Sequence, residues 1–305
     1  MNAANALYIL IPVLNGWQQT AECLQALRKS TCREFTVVVI DHGSTDETES
    51  GLAQAFPEVI HLRADSDLWW AGATNAGVEH ALEQGAEQIV LLNNDCYVEP
   101  DCIGLLVDAA SQLKGAVVAP VQRRLDTGAI LSLAPKPLLW LGFSGRAGPR
   151  EITESMRRSR FLPVAQIGGG RGVLIPAEVF RKVGLFDSAR LPHYHADQDF
   201  YLRCRGAGVP LYTVLDASVN VDCSTTSLAE RPELMTMQQF KTSLVSRRSH
   251  RNLPDLKAFY KKNYPVKKLY WIGLGLNFAR YLLVYAVRRS GYLSLVLARA
   301  IKGFR

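Results

Sequence analysis

A regular alternation of apolar runs and helical patterns through the first half of the chain restricts the fold more than any other feature of the sequence. Apolar runs lie at 7–11, 35–40, 59–62, 88–92 and 116–119, and helical patterns lie between them at 18–29, 46–55, 74–84 and 101–112. Short apolar runs joined by helical crossovers are typical of parallel strands buried on both faces. We therefore predict an α/β fold with an open, mostly parallel sheet flanked by helices, which binds ligands at the carboxyl ends of its strands.

The second half of the sequence is less regular. We predict strands at 128–133, 173–175 and 211–214 and helices at 177–183 and 198–207. Between them lie a loop rich in Pro, Gly and Arg at 135–165 and a glycine-rich turn at 168–172. A loop of this length inside a compact domain is usually functional or disordered.

Charge divides the chain into two parts. Residues 241–305 hold 15 of the 35 Lys and Arg residues but only Asp255 of the 28 acidic residues, so this segment carries +14 and the rest of the chain −7. A chain of 305 residues with 48% hydrophobic residues can bury a full core. We predict a globular domain over 1–230 and a helical, basic and apolar segment over 231–305, which suits a polyanionic partner.

The basic segment combines lysines and aromatic residues with a long apolar stretch. Five lysines between Lys257 and Lys268 precede the apolar stretch 269–287, which Asn277 and Arg280 interrupt. This mixture suits a helix that lies on an anionic membrane surface, and a helical cap on the sheet or a membrane-spanning helix are the alternatives. Lysines beside such an apolar run are not typical of phosphate-backbone contacts, so we expect no nucleic acid as partner.

Six cysteines occur without a CxxC pair or a histidine at zinc-binding spacing. No secretory signal pattern precedes the first apolar run. We expect free thiols in a reducing compartment, and therefore a cytoplasmic protein that lies peripherally on the inner face of the cell membrane.

Polar clusters follow three of the predicted strands, at Pro12–Asn15, Asp41–Asp46 and Asn93–Asp95. Carboxyl ends of parallel strands meet at one edge of the sheet, so we expect these clusters to share one crevice. Ser44 and Glu47 have capping-box spacing, which predicts a helix whose first amides face that crevice. A capped strand-to-helix turn without a ligand would have the same pattern.

Asn93 and Asp95 are two residues apart in an extended segment, so their side chains lie on the same side. A carboxylate and an amide oxygen suffice to hold Mg²⁺ or Mn²⁺ when a substrate diphosphate supplies further oxygens. The same residues also occur in ordinary loops.

Asp197 and Asp199 flank the start of an apolar helix. Acidic residues there complement the helix dipole. A carboxylate placed between aromatic residues and a second carboxylate also acquires the raised pKa of a general base, and the local sequence is compatible with both roles.

Taken together, the motifs resemble the inverting family 2 glycosyltransferases, which have the nucleotide-sugar-binding GT-A fold. The resemblance covers residues 7 to about 227. The matching pieces, in chain order, are Ile11–Asn15, Val39–Asp46, Asp67–Gly77, Leu92–Asp95, and Gly184–Asp187 followed by Ala196–Asp199.

The resemblance implies a role for each matching residue. It makes Asp41 the partner of the uracil or thymine edge, Asp95 the main metal ligand and Asp197 the catalytic base. Asn93 stands where the family has the first Asp of its metal motif, a replacement tolerated in the subgroup that resembles rhamnosyltransferases. The nucleotide-sugar cleft would also include Pro12, Asn15, Ser44, Trp70 and Asn75. Trp69 and Trp70 would alternatively pack in the core.

The sequence departs from the family after strand 211–214. A metal-binding histidine that the family often has there is absent, and Asp222 is the available oxygen ligand beside Cys223. Hard cations prefer oxygen, which favours Asp222. His195, together with Asp199, is assigned to the acceptor side, and His193 lies beside them; an ordinary loop histidine is the alternative in each case.

The resemblance implies transfer of a sugar from a UDP- or dTDP-sugar, with inversion, to a hydroxyl of a lipid-linked or polysaccharide acceptor, in surface-polysaccharide assembly. Rhamnose is a suitable sugar. The alternative is a non-catalytic module with the same fold that binds a nucleotide-sugar or glycan. A Rossmann-type cofactor enzyme is disfavoured because no GxGxxG follows the first strand.

Overall fold

The computed structural model describes residues 6–146, 148–224 and 234–303, without the side chains of Arg146 and of 293–303. The chain forms two compact units. Unit 1 comprises Met1–Pro137 and Gly145–Cys223, and unit 2 comprises Leu138–Ser144 and Ser224–Arg305.

Strands and helices alternate through the first half of unit 1. In chain order they are β1 Leu7–Val13, α1 Trp17–Arg28, β2 Thr36–Asp41, α2 Thr48–Ala55, β3 Ile60–Arg63, α3 Trp69–Glu83, β4 Gln88–Leu92, β5 Cys96–Val98, α4 Cys102–Gln112 and β6 Val117–Arg124. The following elements are β7 Ile130–Ser132, β8 Lys136–Leu138, β9 Phe143–Arg146, α5 Glu154–Arg157, β10 Phe161–Pro163, β11 Arg171–Pro176, α6 Ala177–Val183, α7 Ala196–Gly206 and β12 Leu211–Val221.

The main sheet has the order β10-β12-β6-β11-β4-β1-β2-β3, with β5 beside β12 and β7 beside β6. This confirms the predicted open α/β sheet. All five strands predicted in the first half run in the same direction, but β11 lies antiparallel between β4 and β6. The sheet is therefore mixed.

The central strands are buried on both faces, as their continuous apolar runs predict. Ile9, Leu10 and Ile11 of β1 are completely inaccessible to solvent. Helix α3 approaches this strand and β2 closely at Gly77, where a Cβ atom would lie 2.7 Å from Ile40 Cδ1. Burial of this sheet fixes the carboxyl ends of β1, β2 and β4, from which the candidate site is built.

Three local predictions are wrong. The capping box of Ser44 and Glu47 does not form: α2 begins at Thr48, whose N–H and hydroxyl donate to Asp46 Oδ1 at 3.1 and 2.6 Å. Ser44 Oγ instead accepts the N–H of Asn15. The predicted loop 135–165 contains β8, β9, α5 and β10. Helix α3 begins five residues before the predicted 74, so both tryptophans lie on it.

Unit 2 contains the predicted C-terminal helical tail. The α-helices in its described residues are α8 Met237–Ser243, α9 Leu253–Asn263 and α10 Tyr270–Gly303. Asn277 of α10 is fully buried and donates to Gly142 O at 2.6 Å and to the Tyr260 hydroxyl at 3.1 Å. Among the described residues, α10 and the other helices lack a stretch apolar and long enough to cross a bilayer.

Candidate active site

Asp41 is the last residue of β2 and is 7% exposed. Its Oδ1 accepts the backbone N–H of Ser44 at 2.8 Å, and its Oδ2 lies 3.4 Å from His61 Nε2. The carboxylate is therefore fixed at the strand end, where the resemblance predicts the base of the nucleotide.

The loops after β1 and β2 are joined through Asn15. Its backbone N–H donates to Ser44 Oγ at 2.8 Å, and its Oδ1 accepts the N–H of Thr45 at 2.8 Å. Asn15 has a φ of 61°, a conformation that asparagine tolerates better than most residues. Pro12 is buried in β1 beside Ile40 of β2. The two loops thus form one connected rim of the crevice.

Asn93 follows β4 and contacts two other segments. Its Oδ1 accepts the indole N–H of Trp70 at 3.0 Å, and its backbone N–H donates to Gly170 O at 3.1 Å. Asn94 points elsewhere, because its side chain donates to Thr20 Oγ1 at 3.1 Å. The predicted extended segment through Asn93 and Asp95 does not form, because residues 94 and 95 lie in a turn that the Cys96 N–H closes by donating to Asn93 O at 3.1 Å.

Asp95 and Asp222 lie close together. The N–H of Asp222 donates to the backbone oxygen of Asp95 at 2.8 Å, and Asp222 Oδ2 accepts from Gln19 Nε2 at 2.9 Å. Burial raises the pKa of Asp95, and the negative charge of Asp222 raises it further, while the positive charge of Arg171 opposes the shift. A divalent cation would relieve both unfavourable effects.

The donor atoms at this position fit Mg²⁺ or Mn²⁺, because Asn93, Asp95 and Asp222 all offer oxygen. In the described part of the chain no group of three or more His, Cys, Asp or Glu side chains is arranged to hold a metal ion. Two carboxylates and an amide therefore need additional oxygen ligands, such as those of a substrate diphosphate.

Asp197 is in the first turn of α7, a helix that begins immediately after His195, whose φ is 68°. Burial raises the pKa of the Asp197 carboxyl above the usual range of an aspartate. Backbone hydrogen bonds from Gln198 and Gly169 and the positive charges of His195 and Arg171 oppose this effect. A carboxylate with these properties can accept a proton near neutral pH.

Arg171 is a site residue that the sequence analysis missed. It lies at the start of β11 beside Leu92 of β4, and its charge acts on both Asp95 and Asp197. Nη1 donates to Gln122 Oε1 at 3.3 Å, whereas the buried Nε has no hydrogen-bond partner among the described residues. The available signal was a single cation within the glycine-rich run 168–172.

The two tryptophans of α3 have different surroundings. Trp69 has a φ of 54°, and its ring centroid lies 5.7 Å from that of His193. Trp70 packs edge-on against Phe186 at 5.3 Å and reaches Asn93 with its indole N–H. Trp70 therefore belongs both to the aromatic packing and to the edge of the crevice.

Two residues predicted to contact ligands have structural partners. Asn75 pairs with the backbone of Phe186, donating to its oxygen at 2.9 Å and accepting its N–H at 3.0 Å, so its amide is occupied at both ends. Asp199 is completely buried and accepts from Arg203 Nε at 2.9 Å. Both side chains therefore have structural roles, and the predicted contact of each with a ligand stays a prediction. His195 is 6% exposed, with Nδ1 2.8 Å from Gln198 Oε1.

Comparison with solved structures shows that the mixed sheet, with polar residues at the carboxyl ends of its strands, is a glycosyltransferase fold of the GT-A type. The chain belongs to glycosyl transferase family 2, whose family model matches residues 8–171. That stretch carries Asp41, Asp95 and Arg171 and ends before Asp197.

Curated relatives are similar over much of the chain. An uncharacterized glycosyltransferase of Rickettsia prowazekii is 22% identical over 93% of this chain and 91% of its own length. The N-acetylglucosaminyl-diphospho-decaprenol L-rhamnosyltransferase of Mycobacterium tuberculosis H37Rv is 28% identical over 61% of this chain and 66% of its own length.

Among solved structures, GalNAc-T7 in complex with UDP, GalNAc and Mn²⁺ superposes with a TM-score of 0.59 at 15% identity. The superposition covers 91% of this chain and 55% of GalNAc-T7. This likeness confirms the fold.

Proposed function

We propose that this transferase moves a sugar, with inversion, from a UDP- or dTDP-sugar to a hydroxyl of a lipid-linked or polysaccharide acceptor in surface-polysaccharide assembly. The observation that carries the proposal is the position of Arg171. Its charge acts both on Asp95, at the end of β4, and on Asp197, at the start of α7. The end of the site at Asp95, which we call the leaving-group end, and the end at Asp197, which we call the base end, would therefore belong to one site.

At the leaving-group end, Asp41 would accept the imide N–H of uracil or thymine, and the rim of Asn15 and Ser44 would hold the nucleotide. Asp95, Asn93 and Asp222 would hold Mg²⁺ or Mn²⁺. When bound, such an ion neutralises the charge that develops on a departing diphosphate.

At the base end, Asp197 would take the proton of the acceptor hydroxyl. The oxygen of that hydroxyl forms a bond with the anomeric carbon at the same time. The bond from that carbon to the diphosphate oxygen breaks in the same displacement, and nucleoside diphosphate leaves. One displacement inverts the configuration and requires no second carboxylate as nucleophile. Arg171 would stabilise negative charge between the two ends.

The test is release of nucleoside diphosphate from a panel of UDP-, dTDP- and GDP-sugars with Mg²⁺ or Mn²⁺ and a membrane extract. We expect release from one donor, loss of release in Asp197→Asn, and no change in Asp216→Asn. Asp216 is a matched control because it is a surface carboxylate paired with Arg160. Absence of release from every donor would favour a non-catalytic binding module.

The relative named as a rhamnosyltransferase of a diphospho-decaprenol saccharide motivates the choice of dTDP-rhamnose as the first donor and of a lipid-linked saccharide as the first acceptor. We propose that residues 1–230 form the catalytic domain and that residues 231–305 hold it on the inner face of the cell membrane.

The proposed membrane contact rests on the composition of unit 2. On helix α10, the solvent-exposed fractions of Trp271, Leu283 and Val287 are 60%, 64% and 63%. Lys257 borders an apolar groove lined by Leu253, Pro254, Trp271, Leu274, Gly275 and Phe278. Exposed apolar residues beside lysines are typical of helices on anionic lipid surfaces.

Sedimentation with lipid vesicles tests this contact in the full chain. We expect binding to vesicles containing phosphatidylglycerol, weaker binding to pure phosphatidylcholine, and a loss in Trp271→Ser/Leu283→Ser. Equal binding of this variant and the wild type would contradict the assignment.

A further inference from the structure

A cavity of about 820 Å³ lies in unit 1, outside the site described above. It is formed by the region of β6 and β7 and by the segment 148–157. We call it the arginine cavity, because its lining includes Arg123, Arg124, Arg150 and Arg157. Its volume is in the range of small-molecule binding sites.

The charges of the arginine cavity are only partly compensated within the protein. Arg124 forms a salt bridge with Asp126 at 3.0 Å, and Glu151 also lines the cavity. Arg150 and Arg157 are exposed, and in the described part of the chain their guanidinium groups form no hydrogen bond or salt bridge. Like charges around one cavity repel each other, and a bound polyanion would relieve that repulsion.

The cavity is adjacent to the loop that contacts Asp197. Ser132 of the cavity lining pairs with Gln122 in the β6–β7 register. Gln122 in turn donates to Gly168 O and accepts from Arg171. Gly169, which follows Gly168 in the chain, forms a backbone hydrogen bond with Asp197. The wall of the cavity is therefore connected to the base end of the site.

The chemistry of the lining selects the class of ligand. A guanidinium group presents a planar fork that matches phosphate oxygens in a bidentate manner. Aliphatic residues complete the wall, namely Ile130, Leu131, Leu133 and Ile152. This combination suits a phosphoryl group attached to a larger, partly apolar or saccharide body.

We propose that the arginine cavity binds a phosphate or diphosphate group of the acceptor. The inference rests on the proposed function, since the cavity wall is connected to the loop that contacts Asp197. Arg150 and Arg157 are specificity-determining residues in this proposal, and they recognise the acceptor without taking part in the chemical step.

Isothermal titration with inorganic pyrophosphate in metal-free buffer tests the cavity directly. We expect the Kd to rise at least tenfold in Arg150→Gln/Arg157→Gln. The matched control is Arg158→Gln/Arg181→Gln, which removes the same charge from exposed positions outside the lining. An unchanged Kd in the first variant, or an equal rise in both, would overturn the proposal.

Competition with pyrophosphate then separates two sources of the phosphoryl group. Stronger competition by a short prenyl diphosphate assigns a lipid-linked acceptor, and stronger competition by an oligosaccharide phosphate assigns a polymer. Competition by neither overturns the proposal. Pyrophosphate binding needs no turnover, so it is distinguishable from failure of the proposed transferase activity, which the donor-release assay measures.

Discussion

The indole N–H of Trp70 donates to the side-chain oxygen of Asn93 across 3.0 Å. Asn93 stands where an acidic metal ligand is expected, and its amide oxygen has two lone pairs. The hydrogen bond from Trp70 occupies one of them and leaves the other for a cation. It also restrains the orientation of the amide.

Trp70→Phe should therefore weaken metal binding while the aromatic contact with Phe186 persists. Loss of a partner that orients a metal ligand typically costs about 10–100-fold in affinity. We expect the metal concentration for half-maximal activity to rise about tenfold, whereas Trp69→Phe should leave it unchanged. Equal values for Trp70→Phe and the wild type would show that Asn93 needs no orientation by Trp70.

The acid limb of the kcat/KM profile should lie above the usual range of an aspartate. Burial raises the pKa of Asp197, and a base is active only when deprotonated, so activity is lost as the pH falls through this raised pKa. The charges of His195 and Arg171 lower the pKa, so His195→Gln and Arg171→Gln should both move the acid limb to higher pH. If the acid limb stays at the same pH in both variants, it does not report the ionisation of Asp197.

Asp197→Asn should stabilise the fold near neutral pH. A carboxylate whose pKa is raised by folding contributes stability below its unfolded pKa, and this contribution is lost as the pH rises through the folded pKa. Replacing the buried carboxylate by a neutral amide should therefore raise the Tm at pH 7. Calorimetry should find the gain at pH 7 and its disappearance below the unfolded pKa; a lower Tm at pH 7 would contradict the burial penalty.

Asp199→Ala should destabilise unit 1 strongly. Asp199 is completely buried, and its partner Arg203 also donates to Leu185 O at 2.7 Å. Removing the carboxylate leaves the partly buried guanidinium without its counter-charge, which costs about 1–3 kcal/mol in free energy of unfolding, measurable by urea denaturation.

The matched variant Asp216→Ala breaks an exposed pair with Arg160 and should cost about 1 kcal/mol or less. A similar loss in both variants would place Asp199 in a solvated environment, contrary to its burial.

The sequence predicted the parallel core because β1, β2 and β4 are buried on both faces and therefore need uninterrupted apolar residues. The ends of these apolar runs also marked the ends of the strands, which is why Asp41 and Asp95 could be placed there. The insertion of β11 between β4 and β6 was not predictable, since pairing of distant strands leaves no local pattern. The four-residue spacing of Asp199 and Arg203 did carry a signal for an ion pair on one helix face.

The site was harder to predict where a side chain's role depends on a distant segment. Asn75 has the same residue type whether it binds a nucleotide or the backbone of Phe186, and only the fold brings Phe186 to it. Arg171 likewise becomes a site residue through the register of β11 beside Leu92.

The course of the chain through the two units constrains the order of events during synthesis. Leu138–Ser144 belongs to unit 2, although unit 1 contains the residues on either side. Its partners come more than a hundred residues later: Asn277 bonds Gly142 O, and Arg280 lies 4.9 Å from the Phe143 ring. A nascent chain therefore exposes this apolar segment until α10 has left the ribosome.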